Sequence, residues 1–371
     1  MPVPFDEYPV HQVPMSIQHM ASSDRNCYDR CYLNAHDRTG GIFFVTGLGV
    51  YPNLGVIDAY ATVTRGTHQA TLRFSDALGE DRSLQHVGPY RIEVIEPLQC
   101  LRVLCDSDES GITFDLTWTG SFPATEEPRH VMRQGGRVIL DACRFAQVGT
   151  WSGVLRVDGE EFPVSDERWV GTRDRSWGIR PVGEAEPPGR GAAEPAEGFG
   201  FWWTYVPLRF DDFAILVILQ EDGDGTRTMN EAVRVWPATS SRPPEQLGWP
   251  EIDISYQPGT RHPVGARLQM GTRAKPLTID ISTLGMVALN CGPGYGGDPD
   301  WTHGAWRGRG FTERVDFELS DPVVAGRIPF GVVDHVARAT CEGVEGWGMF
   351  EHGTFGRHAP SKFVDWASVA N

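Results

Sequence analysis

Three arginines, one aspartate and two tryptophans fall within eleven residues, Arg168-Trp169-Val170-Gly171-Thr172-Arg173-Asp174-Arg175-Ser176-Trp177-Gly178. Arginines flanking a carboxylate should hold it ionised. Such a group can orient a neighbour or stabilise a developing cation. Period-two alternation sends Arg173, Arg175 and Trp177 to one face of a strand and Thr172, Asp174 and Ser176 to the other. The structural alternative is an Arg–Asp clamp at the end of a barrel strand, with the tryptophans as plugs.

Four further segments carry groups of interest. In Phe201-Trp202-Trp203-Thr204-Tyr205, Trp202 must point opposite to Phe201 and Trp203. One face of this strand can line an apolar ligand cavity, or simply make contact between domains. Near the C-terminus, Asp334-His335 and Glu351-His352 place carboxylates beside imidazoles on adjacent strand candidates. Neighbours in sequence face opposite sides, so neither pair is itself a dyad; across a hairpin, His335 could meet Glu351 or His352. Such groups protonate alkenes or activate water; core-satisfied histidines are the plainer reading. His335, His352 and His358 lack metal-site spacing, and no metal is expected. The glycine-rich stretch from Gly292 to Gly304 contains Asp298, Asp300 and His303; it reads as a structured loop, a lid or a cation loop. Tyr28, Asn34 and His36 are weaker candidates.

The elements that must position these residues are strands. Alternation of apolar and polar residues recurs at 112–118, 70–74, 252–256, 266–270 and 277–281. Asp158-Gly159 centres a hairpin. No helical period is sustained beyond about three turns. The expected fold is all-β, of sandwich or barrel type. At 371 residues the chain exceeds one ordinary core, and 183–198, built from Gly, Ala, Pro and Glu with one Arg, reads as a linker. The expected organisation is a domain over 1–182, the linker, and a domain over 199–371.

Composition narrows the function. A net charge of −16 without a basic run argues against nucleic acid. The N-terminus has no apolar signal region, and the longest apolar run, 213–219, is too short to span a bilayer. Seven irregularly spaced cysteines suit free thiols in a reducing cytoplasm. Gly47-x-Gly49 is followed by Pro52 where a third glycine belongs, and no P-loop, GxSxG or HExxH motif occurs.

The Asp174-x-x-Trp177-Gly178 element and the aromatic strand after it resemble the hydroxyneurosporene synthase (carotenoid 1,2-hydratase) and AttH-like superfamily, which includes tocopherol-cyclase-like and fungal Diels–Alderase-like cyclases. TGLGVYPNLGVIDAYATV, GTWSGVLRVDGEEFPV, GTRDRSWGIRPVGE, VPLRFDDF, GYGGDPDW and GMFEHG resemble more closely a set of uncharacterised actinobacterial proteins in that superfamily. The resemblance implies two lipocalin-like antiparallel β-barrels side by side, an apolar cavity and, in some members, cofactor-free acid/base chemistry on isoprenoid double bonds. The residue after the motif aspartate is typically histidine in the hydratases; here it is Arg175, which cannot deliver a proton near neutral pH. Another acid is needed, and His335, Glu351 and His352 are the substitutes offered by local chemistry.

The expected function is a cofactor-independent enzyme that hydrates, cyclises or isomerises a double bond of an apolar isoprenoid or steroid-like substrate. The alternative is a non-catalytic carrier of an apolar ligand; carbohydrate stacking on Trp202 and Trp249 is a third reading. The catalytic candidates are Asp174, Trp177, His335, Glu351 and His352. The ligand-binding candidates are Arg173, Arg175, Trp202, Trp203, Tyr205, Tyr28 and His36. No cofactor, nucleic-acid partner or integral membrane segment is expected, and the oligomeric state stays open.

Overall fold

The computed structural model describes residues 4–9, 19–107, 110–134, 137–183 and 199–371. Nearly all of the 183–198 segment lies outside these residues. The alternating stretches form the strands Ile112–Gly120, His68–Ala77, Glu251–Tyr256, Pro263–Thr272 and Lys275–Ala288. Asp158 and Gly159 both take positive φ, 51° and 83°, which is what a tight two-residue hairpin requires. The longest α-helix among the described residues is the four-residue Pro322–Ala325.

Two curled antiparallel sheets, of fourteen and nine strands, make two lipocalin-like barrels. Each encloses its own apolar core. Leu33, Phe44, Leu72, Phe114, Trp118 and Trp151 fill the first. Val206, Leu208, Val217, Leu268, Ile279 and Phe350 fill the second. A third core lies between the barrels, where Tyr32, Phe43, Val45, Tyr60 and Val148 of the first sheet meet Trp203, Tyr205, Leu216, Val336 and Met349 of the second. The chain also crosses back: Phe311–Glu318 pairs with His68–Ala77 at the edge of the first sheet.

This arrangement gives the strands at the junction two buried faces. Cys27–His36 is buried at every position, although Asp29, Arg30, Asn34 and His36 are polar. Odd positions such as Cys31, Leu33 and Ala35 enter the first barrel's core, while Tyr32 enters the core between barrels. Val170–Ile179 lies between Cys27–His36 and the long strand Arg137–Val157. A Cβ at Gly171 would sit 1.8 Å from the Asn34 carbonyl oxygen, so only glycine permits this approach. The closeness lets the Asn34 side chain accept from the Thr172 amide (2.9 Å) and donate to the Thr172 hydroxyl (2.7 Å). Asp174 is thereby carried on a strand locked in register.

Candidate functional site

A cavity of about 170 Å³ opens between the barrels. Tyr28, Arg30, Tyr32, Arg144, Asp174 and Ser176 line it from the first sheet; Phe201, Trp203 and Glu351 line it from the second, and Tyr295 reaches in from the glycine-rich loop. Asp174 and Ser176 thus share the face of Val170–Ile179 that meets the cavity, as the alternation predicts.

Three carboxyl groups gather here. Asp334 and Glu351 are cross-strand partners, and both point into the space between the barrels. Tyr32 Oη donates to Asp334 Oδ2 at 2.5 Å, and Trp203 Nε1 donates to Glu351 Oε1. As a carboxylate, Asp334 leaves Oδ1 buried with no donor. Asp334 and Glu351 lie side by side in the register, and two neighbouring buried carboxyls resist both being ionised. Burial raises both groups, and the neighbouring Glu351 charge raises Asp334 further, well above the ordinary carboxylate range. The pair is a buried acid.

Asp174 is the third. Burial pushes its pKa up to about 7, against the opposing pull of Arg144 and with help from Glu127 and Glu351. The expectation that flanking arginines hold it ionised is corrected here. Arg173 and Arg175 leave the opposite face of the strand and are neutralised there. Arg173 makes a two-pronged pair with buried Glu7, at 2.5 and 2.9 Å. Arg175 binds Asp29 at 3.0 Å and also Gln85. The cations that do act on Asp174 are Arg144 and, more weakly, Arg30; Arg144 is paired with Glu127 and held over the Trp203 and Tyr205 rings at 5.6 and 5.2 Å.

The remaining sequence candidates fall elsewhere. Trp177 shares the face of Arg173 and Arg175, and its ring lies 6.4 Å from that of Phe145. His335 and His352 point into the second barrel. The register sets His335 opposite Phe350 and His352 opposite Val333, so Asp334, and not a histidine, meets Glu351. Burial lowers both imidazoles to about 3, which leaves them neutral and unable to act as acids. His352 is held by Thr204, Tyr256 and the Trp203 carbonyl. His36 bonds the Gly348 carbonyl at 3.1 Å. Trp202 stacks on His358 inside the second barrel, while Trp249 is 82% exposed, so the two form no common platform for a sugar. Tyr28 and Trp203 do line the cavity, and Tyr205 lies under Arg144. Among the described residues no cluster could hold a metal ion. Asp298 is tied to Arg73, which also donates to the Gly292 carbonyl and anchors the glycine-rich loop.

Tyr32, Arg30, Arg144, Arg180, Tyr295 and the protonated role of Asp334 were not singled out from the sequence. The Asp334/Glu351 register was the one available signal, because both carboxylates precede a histidine on adjacent strands.

The family model spans residues 3–364. The chain belongs to the Family of unknown function (DUF8625). No curated protein matches it. Among solved structures, an AttH-like protein of Nitrosomonas europaea is similar over 93% of this chain and 98% of its own, with 14% identity and a TM-score of 0.52. Kievitone hydratase from Nectria haematococca covers 93% of this chain and 97% of its own at 14% identity, with a TM-score of 0.49. CghA covers 89% and 88% at 14% identity, with a TM-score of 0.48. The first of these likenesses shows that the DUF8625 chain shares the AttH-like fold. No helix among its described residues is long and apolar enough to cross a membrane.

Proposed function

We propose that this DUF8625 protein is a cofactor-independent acid/base enzyme that hydrates, cyclises or isomerises a double bond in an apolar, isoprenoid-like or steroid-like substrate. The observation that carries this reading is the cavity between the barrels, where a proton-holding carboxyl pair and a separate carboxyl poised near neutrality meet aromatic walls. A carrier needs only the walls. Burying three carboxyl groups at one cavity costs stability, and catalysis is the benefit that offsets it.

Glu351 faces the cavity with the proton that the pair holds and delivers it to the double bond. Protonation leaves a carbocation beside the Phe201 and Trp203 wall, and an ionised Asp174 across the cavity opposes its charge. In hydration, water then attacks the cation and Asp174 takes the proton that water releases. In isomerisation or cyclisation, Asp174 takes a proton from carbon instead. One proton leaves the carboxyl pair and one arrives on Asp174, so exchange through the wet cavity restores the starting state. A pKa near 7 suits a group that must accept and release protons at neutral pH.

Purified protein incubated with a panel of polyenes, isoprenoids and sterols, with mass-spectrometric readout, tests this. The expected result is a hydrated or isomeric product whose formation falls about 10²–10⁴-fold in Asp174→Asn and Glu351→Gln. Tight binding across the panel with no product would leave the carrier reading in its place.

A further inference from the structure

Two cations at this cavity, Arg30 buried and Arg180 half-buried, make no ion pair with a carboxylate among the described residues. Arg30 is 4% exposed and lies 4.7 Å over the Tyr295 ring. Arg180 lies 5.7 Å from the Tyr28 ring, and Arg30 lies 5.9 Å from the same ring. By contrast the three other arginines nearby, half-buried Arg144 and buried Arg173 and Arg175, each have such an ion pair. Desolvation and repulsion from Arg30 both weigh on Arg180. Asp174 and Glu351, which line the same cavity, are carboxyls that burial drives toward their neutral forms.

The placement of the two arginines is specific. A second cavity of about 530 Å³ adjoins the first, and both are lined by Arg30, Leu140, Arg180 and Tyr295. Its other walls include the exposed Gln134, Arg137 and Gly296, so it opens toward solvent. The guanidinium groups therefore stand at the junction between an outer chamber and the inner chamber that holds the carboxyls.

We infer that Arg30 and Arg180 are a specificity-determining clamp for a delocalised oxygen anion, a carboxylate or an ionised enol, on an otherwise apolar substrate. Guanidinium groups match such planar anions through paired N–H donors. The anion stays at the junction and directs the apolar part bearing the double bond into the inner chamber, toward Glu351 and Asp174. This inference rests on the proposed reaction site, but it predicts a binding preference that needs no turnover.

The test uses tryptophan-fluorescence quenching by three probes of one chain length: a conjugated polyene carboxylic acid, its primary alcohol and the corresponding 2-acyl-1,3-diketone. Wild type should bind the acid, the ionised diketone or both at least about tenfold more tightly than the alcohol, and the two anionic arms show which head group fits. Arg180→Gln and Arg30→Gln should each erase most of that preference while alcohol affinity stays within about threefold. Arg180 is only partly buried, so its variant stands if Arg30→Gln fails to fold. Asp174→Asn should keep the preference, which separates loss of the clamp from loss of the reaction. Equal affinity for all three probes, no binding of either anion, or a preference that survives in Arg180→Gln would overturn the clamp.

Discussion

Asp174 shows how much a single side chain depends on which neighbours share its face. Its sequence neighbours suggested a charged carboxylate; the pleat sends both arginines away and leaves it with burial, Arg144 and, more weakly, Arg30. The sign of the consequence is definite. A carboxyl raised from about 3.9 when unfolded to about 7 when folded favours folding fully only below the lower value, and that contribution is lost as pH rises through 7. Asp174→Asn should therefore gain about 1–3 kcal/mol on wild type between pH 5 and pH 8, measured by urea denaturation, even as it loses activity. A variant whose stability tracks wild type across that range would contradict the raised pKa. The alternation in Thr172–Trp177 was legible from sequence. The carboxyl pair was legible only in part: Glu351 was among the candidates, but its cross-strand partner is Asp334, because His335 falls on the opposite face of its strand.

At the scale of elements, legibility followed the number of buried faces. Ile112–Gly120 and Pro263–Thr272 alternate because each has one face in a barrel core and one toward solvent. Cys27–His36 has a barrel core on one side and the second barrel on the other, so its buried polar residues read as noise until the partner is in place. The turn Pro4–Glu7 is a similar case. Glu7, 1% exposed, reaches across to neutralise Arg173 and also accepts from the Leu98 amide at 2.8 Å. Glu7→Gln leaves a buried guanidinium without its charge partner and should cost about 3–5 kcal/mol in urea denaturation. A loss below about 1 kcal/mol would mean that the turn does not hold the strand carrying Asp174.

For the whole molecule, an all-β sandwich or barrel was legible from strand count and turn chemistry, and a pair of barrels from chain length, the 183–198 segment and the family resemblance. The location of the site between them was not, since it depends on how two finished sheets dock. The shared core and the crossing strand Phe311–Glu318 tie the barrels together, so calorimetry should show one unfolding transition with equal calorimetric and van't Hoff enthalpies; two resolved transitions would mean the barrels fold independently. The central claim is that carboxyl groups at the junction move protons onto and off carbon. Solvent-deuterium incorporation into a bound isoprenoid or polyene tests it most directly, because hydration, isomerisation and proton-initiated cyclisation all form a new carbon–deuterium bond. Wild type in heavy water should place deuterium at carbon, and Glu351→Gln and Asp174→Asn should slow this by at least about a hundredfold. Deuterium uptake that persists in both variants, or a bound substrate that never exchanges in wild type, would contradict the account.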